Sequence, residues 1–345
     1  MSVDQYWYDT TKKVPFHLKM LTPVFRMLAG LRRLMYRLRL FRSHKPRVPV
    51  IVVGNITVGG SGKTPTVVWL VNLLKQAGYH PGVVSRGYLG EAHIWPQQVR
   101  PDSDPLMVGD ESVLIARRCQ CPMAVGPERV AAIKALLNAH KEVDVIVSDD
   151  GMQHYAMGRD IEISVIDGKR RFGNGYCLPA GPLREPITRL FSVDFHIVNG
   201  GETRKTPYGT EYGMSLRFGK VYNLKNFSKF QKIDSFKGQK IDAVAGIGNP
   251  NRFFSQLKKQ GIDVDAHPFP DHHKYTVKDF EFSSGRPLLM TEKDAVKCER
   301  LAQDHHWCVT VDAQVPQELG DQVLALLEKK IARRKARWTL SYSTS

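Results

Sequence analysis

The run Thr57-Val58-Gly59-Gly60-Ser61-Gly62-Lys63-Thr64 has the residue types and spacing that hold nucleotide phosphates. Glycines let successive backbone N–H groups turn toward an anion, Lys63 reaches the outer phosphates, and the Thr64 hydroxyl can take Mg²⁺. The general pattern G-x-x-x-x-G-K-[ST] begins with glycine. Here Thr57 stands at that position, a variant in which Gly59 and Gly60 keep the loop glycine-rich. A second candidate is Val145-Ile146-Val147-Ser148-Asp149-Asp150-Gly151, an apolar run ending in two carboxylates. Asp-Asp-Gly is also ordinary turn chemistry. With Lys63-Thr64 upstream, metal binding by Asp149 and Asp150 is the favoured reading, because a hard dication prefers carboxylate oxygens. Gln153 and His154 follow at once and would overhang the same crevice.

Other stretches are more open. Asp110, in Gly109-Asp110-Glu111, reads equally as a helix N-cap and as a carboxylate serving as base or metal partner. Phe269-Pro270-Asp271-His272-His273 sets imidazole and carboxylate on a proline-stiffened loop, able to take a proton from a hydroxyl; alone it reads as a surface turn. Ser85-Arg86-Gly87-Tyr88 and Arg170-Arg171-Phe172-Gly173-Asn174-Gly175 resemble anion-binding loops, since a guanidinium bonds two phosphate oxygens at once. Gly246 and Gly248 form a weak glycine pair, and Thr291-Glu292-Lys293-Asp294 opens a helix with no assignable chemistry.

These residues need a frame. Strand-like runs at Val48–Ile56, Pro81–Ser85, Met123–Val125, Val143–Ser148, Ile161–Asp167 and Asp194–Val198 alternate with helical patterns at Thr64–Ala77, Glu111–Arg118 and Glu128–Ala139. That alternation predicts a mostly parallel sheet with helices on both faces. A polar stretch around Gly200–Lys240 reads as a linker with short alternating runs. A second series follows, with helical patterns at Asn251–Gln260, Val277–Phe282 and Gln317–Ile331. The expected fold class is α/β, a P-loop NTPase-like three-layer α/β/α domain plus a second, smaller α/β domain. The expected organisation is an N-terminal region 1–47, a nucleotide domain 48–205, a β-ribbon linker 206–239, a second domain 240–332 and a frayed basic tail 333–345. Ligands belong at the carboxyl ends of the strands, between two domains that close on a hinge.

The chain has 345 residues, 42% of them hydrophobic, enough for two cores. Five cysteines with no C-x-x-C pair argue against a disulfide framework or a zinc site. The net charge of +16 implies a polyanionic partner. Much of it flanks an amphipathic pattern between Leu21 and Phe41. Leu21, Val24, Met27, Leu28, Leu31, Leu34, Met35, Leu38 and Phe41 share one sector, with Arg26, Arg33 and Arg37 opposite. Two readings stand: a helix in a membrane interface with arginines on anionic headgroups, favoured by the arginine density, or a helix packed on the protein's own core. Arginines interrupt any signal-peptide core, and no apolar stretch is long enough to span a bilayer.

Taken in order, Gly59-Gly60-Ser61-Gly62-Lys63-Thr64-Pro65, Ser85-Arg86-Gly87-Tyr88, Gly109-Asp110-Glu111, Asp149-Asp150-Gly151-Met152-Gln153-His154, Pro179-Ala180-Gly181-Pro182-Leu183-Arg184-Glu185, Phe269-Pro270-Asp271-His272-His273 and Thr291-Glu292-Lys293-Asp294 resemble the tetraacyldisaccharide 4′-kinase family of Gram-negative bacteria. The resemblance implies transfer of the γ-phosphoryl of ATP to the 4′-hydroxyl of a tetraacylated glucosamine disaccharide 1-phosphate, giving lipid IVA. It implies two α/β/α domains, a β-ribbon linker and a membrane-docking N-terminal helix. It further implies ATP and Mg²⁺ as cofactors, with Thr57 to Thr64 on the nucleotide and Thr64, Asp149, Asp150 and Glu111 near the metal. Asp110 and His272 would act as base with Lys63 as the phosphate cation; Arg86, His154, Asp271 and Arg171 would lie near substrate. The partners implied are the acylated disaccharide lipid and, through residues 20–47, the anionic cytoplasmic face of the inner membrane, engaged by a monomer.

An alternative enzyme, a P-loop GTPase or ATPase for metal delivery or partner control, accounts for the phosphate loop but not for the basic amphipathic helix. A nucleic-acid-binding module rests on net charge alone, since no zinc-finger spacing or aromatic–basic motif accompanies it; no nucleic-acid partner is expected.

Overall fold

Strands form where β-branched residues run together, and helices where apolar residues recur every third or fourth position. In the computed structural model, which describes residues 4–9, 11–282 and 285–342, the chain order is α1 (Asp4–Tyr8), α2 (Phe16–Arg37), β1 (Val50–Gly54), α3 (Lys63–Gln76), β2 (Pro81–Ser85), β3 (Gln97–Gln98), α4 (Pro105–Val108), α5 (Asp110–Cys119), β4 (Met123–Val125), α6 (Arg129–Ala139), β5 (Val145–Asp149), β6 (Ile161–Asp167), β7 (Phe195–Asn199), β8 (Arg204–Thr206) and β9 (Gly209–Asn223). It continues with β10 (Phe230–Gln231), β11 (Lys240–Ala245), α7 (Pro250–Lys259), β12 (Asp263–Pro268), β13 (Leu288–Thr291), α8 (Glu292–Cys298), β14 (His306–Gln314) and α9 (Gln317–Tyr342).

The sheet order is β12-β11-β13-β14-β9-β7-β6-β1-β5-β2-β4-β3. Two parallel blocks meet at β9, which pairs parallel with β7 and antiparallel with β14. Residues 206–239 are therefore more than a ribbon between bodies. Their main element is a 15-residue strand whose first part belongs to one block and whose second part belongs to the other. The two short alternating runs read from the sequence are parts of this one strand.

In the first block, β1 is wholly buried between its parallel neighbours β5 and β6. Strands buried on both faces read as continuous apolar runs, which is what Val50 to Val53 and Val145 to Val147 are. The carboxyl ends of β1 and β5 thereby put the phosphate loop and Asp149 side by side, with Val53 registered against Asp149.

Two expectations need correction. The run expected as a helix at Val277–Phe282 is a short 3₁₀ turn, Val277–Phe280, closed by a capping box between Thr276 and Asp279. The expected frayed tail at 333–345 is instead the continuation of α9 to Tyr342; residues 343–345 lie outside the described residues. Arg334 holds it in place, donating to Asp160 at 2.6 Å and to the Pro46 carbonyl at 2.8 Å. Moreover α9 packs on the first block. Its Leu319, Val323 and Leu327 are fully buried in the core that contains Val67, Leu70 and Leu74 of α3. An amphipathic stripe states that a helix needs a core, not which one.

Candidate active site

Turning β1 into α3 within a few residues demands left-handed backbone. Gly59 and Gly62 supply it, with φ of 98° and 99°. At Gly62 a Cβ would also lie 2.7 Å from Asn199 Nδ2, which donates to the Ser61 carbonyl. The loop is braced from a second side. Val58 N donates to Pro182 O at 2.9 Å and Arg184 N to Ile56 O at 2.7 Å, so Pro179–Glu185 is the loop's buttress. Thr57 needs no positive φ. Its hydroxyl accepts from Asn55 at 2.6 Å and its backbone bridges to Leu183, which explains why glycine is dispensable there. Thr57 therefore supports the loop rather than facing the cleft, a correction to the expected nucleotide-contacting set. Val58, Gly59, Gly60, Gly62, Lys63 and Thr64 do face it, while Ser61 Oγ is buried and without a hydrogen-bond partner.

The cleft is about 1020 Å³ and runs from this loop to the second block. Of the residues expected there, Arg86, Glu111, Asp149, Asp150, His154, Asp271 and His272 line it. Arg171 does not. Its guanidinium turns away to the fully buried Glu211 at 2.6 Å, whereas its neighbour Arg170 lines the cleft beside Gly59. Burial works against the Glu211 charge, but Arg171, Tyr208 and Arg204 hold its carboxyl down at about 2. Arg171→Ala leaves Arg204 as the remaining charged partner of Glu211. It should cost about 2 kcal/mol of stability by denaturant unfolding, with kcat within about threefold of the parent. A large fall in kcat at unchanged stability would return Arg171 to the substrate site.

Two adjacent acids end up unlike. Burial pushes the Asp149 carboxyl up to about 7, helped by Glu111 and Asp150 and opposed by Lys63 and by Ser85, whose hydroxyl donates to it at 3.2 Å. Burial also works against the Asp150 charge, but Lys63, Arg184 and Arg129 outweigh it and hold that carboxyl below its ordinary range. Lys63 Nζ is 3.8 Å from Asp150, and Arg184 Nη1 is 3.1 Å from both its oxygens. Among the described residues no three His, Cys, Asp or Glu side chains converge as a metal cage. One desolvated carboxylate, Asp149, on the same cleft as Thr64 fits Mg²⁺ instead, which keeps most of its shell for water and phosphate. A dication opposite Asp149 would favour the ionised form that burial opposes.

Burial and then Arg129 push the His154 imidazole down to about 4, so it is neutral, with a buried Nε2 that has no partner. Arg129 and Arg184 are cleft residues to which pattern reading gave no role. Nothing local separates them from surface arginines.

Asp110 is the first residue of α5, with Gly109 at the cap position; the N-cap reading is thus displaced by one residue. Gly109 has φ 90°, and a Cβ there would sit 2.5 Å from Tyr88 O, so the Arg86-Gly87-Tyr88 turn packs directly on the helix start. Asp110 is 7% exposed. Its Oδ2 is 3.3 Å from His272 Nδ1, which arrives from the second block on the loop after β12. His272 holds a left-handed backbone, φ 60°, at a cost of about 1 kcal/mol for a non-glycine residue. Glu111 faces Lys293 at 2.9 Å. Burial would pull the Lys293 ammonium down, but Glu111, Asp110 and Asp271 outweigh it and push it up.

α2 flanks the cleft. Arg32 lines it and Arg33 donates to Ser192 at 2.9 Å, while Phe25 packs on the first block's core. The broad apolar sector faces outward: Met27 is 64% exposed, Leu28 57% and Leu31 51%. No described helix is long and apolar enough to cross a membrane.

Residues 14–328 match the family model described as tetraacyldisaccharide-1-P 4′-kinase. The chain belongs to the tetraacyldisaccharide 4′-kinase family. A relative of that name from Nitrosococcus oceani is 49% identical over 96% of this chain and 95% of its own length. Another, from Methylobacillus flagellatus, is 48% identical over 95% of this chain and 98% of its own. The solved structure of LpxK from Aquifex aeolicus in complex with ATP superposes with a TM-score of 0.76 at 26% identity, covering 89% of this chain and 97% of that one. The P-loop kinase fold and the phosphotransferase class follow from membership of the tetraacyldisaccharide 4′-kinase family.

Proposed function

We propose that this chain transfers the γ-phosphoryl group of ATP to the 4′-hydroxyl of a tetraacylated glucosamine disaccharide 1-phosphate, giving lipid IVA at the cytoplasmic face of a Gram-negative inner membrane. One observation carries the reading: the phosphate loop and His272, which is paired with Asp110, face a single cleft that is flanked by a helix with a solvent-facing apolar side.

The loop amides and Lys63 bind the triphosphate and offset charge on the moving group. Phosphoryl transfer asks mainly for alignment and charge neutralisation. Thr64 and Asp149 would hold Mg²⁺, with Asp150 and Glu111 close by, and the ion supplies further neutralisation of the phosphates. A sugar hydroxyl is a weak nucleophile until a base takes its proton. Asp110 and His272 would accept it as the 4′-oxygen bonds to the γ-phosphorus and the bond from that phosphorus to the β-phosphate oxygen breaks, releasing ADP. Arg86, Asp271 and the neutral His154 line the same cleft and would contact the sugar headgroup. A hydrolytic GTPase or ATPase is not favoured, because it leaves the base pair and α2 without use.

Radiolabelled ATP and the acylated disaccharide 1-phosphate, with the product weighed by mass spectrometry, test the reaction. One added phosphoryl group is the expected product; ATP consumption independent of lipid would refute it. Membrane docking has its own test. Met27, Leu31 and Leu34 replaced together by serine should weaken partitioning onto anionic vesicles roughly a hundredfold, at about 1 kcal/mol per partly inserted side chain. Unchanged partitioning would remove α2 from the membrane.

A further inference from the structure

The segment Thr291-Glu292-Lys293-Asp294 has no role in the chemistry derived above, yet each of its side chains is committed. Thr291 Oγ1 donates to Asp294 Oδ2 at 2.6 Å. Asp294, fully buried, also accepts from Gly246 N at 3.1 Å and from Tyr275 OH at 3.0 Å. Glu292 accepts from Arg118 of α5 at 2.6 Å and from Val311 N at 2.9 Å. The first turn of α8 is thus pinned on one side to the loop that carries His272 and on the other to the helix that begins with Asp110. Lys293, between these anchors, has no freedom to wander.

Its ammonium lies 2.9 Å from Glu111 Oε1 and 3.7 Å from Asp271 Oδ1. Glu111 is the chain neighbour of Asp110, and Asp271 is the chain neighbour of His272. Asp271 Oδ1 is also 3.7 Å from His272 Nε2. Three carboxyl groups from two blocks therefore crowd together, and without an interposed cation their mutual repulsion would drive the two loops apart.

We propose that Lys293 is a positioning residue: by tying Glu111 to Asp271 it holds Asp110 and His272 in the pair that takes the proton from the acceptor hydroxyl. This rests on the base role assigned to that pair above. Lys293 itself need not touch the sugar or the phosphates.

Steady-state kinetics on the full chain test it, with ATP and the acylated disaccharide 1-phosphate as substrates. Lys293→Gln should lower kcat by about 30- to 100-fold, the cost of a small misplacement, with both KM values within about threefold. Lys293→Arg keeps the charge and should retain kcat within about fivefold. On a His272→Ala background the same Lys293→Gln change should alter kcat by less than about threefold, because no pair is left to position. A Lys293→Gln enzyme with near-parental kcat overturns the proposal. So does a Lys293→Arg enzyme as slow as Lys293→Gln, or a loss equally large on the His272→Ala background. If Lys293→Gln does not fold, Lys293→Arg decides: retained turnover supports the role and lost turnover overturns it. Asp110→Asn and His272→Ala separate the two levels. If neither lowers kcat, the base reading itself falls; if both do and Lys293→Gln does not, only the positioning role falls.

Discussion

Lys63→Ala should lower kcat/KM by roughly 10³-fold, the scale of losing one charged donor aimed at developing negative charge in a dry site. Lys63 is the cation at the N-terminus of α3, 16% exposed, and it faces the cleft. Its removal has a second consequence. Lys63 opposes the burial that raises Asp149, so the variant leaves that carboxyl still harder to ionise. The fold should survive, because Asp150 keeps Arg184 at 3.1 Å. Kinetics and a thermal melt together check this: activity lost with the melting temperature nearly unchanged is the expected result. Near-parental kcat would remove Lys63 from the phosphates. Lys63→Arg should not restore function, since a planar guanidinium does not reproduce the compact point charge of an ammonium at the phosphates.

His272→Ala should cost roughly 10² to 10⁴ in kcat, the usual range for a positioned acid–base group, while KM for ATP moves by less than about threefold. The split follows from geometry. His272 stands on the second block and meets Asp110, whereas the phosphate loop is held by Asn199 and the Pro179–Glu185 buttress. Asp110→Asn should behave alike, and the two changes together should cost little more than either, as for residues acting as a unit. An enzyme impaired only in ATP binding would take His272 out of the base role.

What could be read from the chain alone follows from locality. The phosphate loop, the acidic end of β5 and the N-terminal amphipathic stripe are contiguous patterns, and their physical meaning needs only their neighbours. Arg170 and Arg171 show the limit. Both sit in one basic turn, and only the distant Glu211 decides that Arg171 turns away and Arg170 stays at the cleft. Thr57 reads from the sequence as a variant of its motif, but only Leu183 and Asn55, its partners in the fold, explain why the variant is tolerated. Lys293 lies 182 positions from Glu111 in the chain, and no spacing rule joins them. The linker was legible as a place where composition changes, but a strand shared by two blocks is a property of pairing, not of composition.

The return of α9 to the first core constrains how this enzyme can be born. Leu319, Val323 and Leu327 cover Val67, Leu70 and Leu74 on the helix that starts at Lys63. A ribosome must therefore finish almost the whole polypeptide before that helix can shed its last water. Until then its uncovered side is sticky, a natural foothold for chaperones and proteases. A chain released early would be cleared rather than left to squander nucleotide.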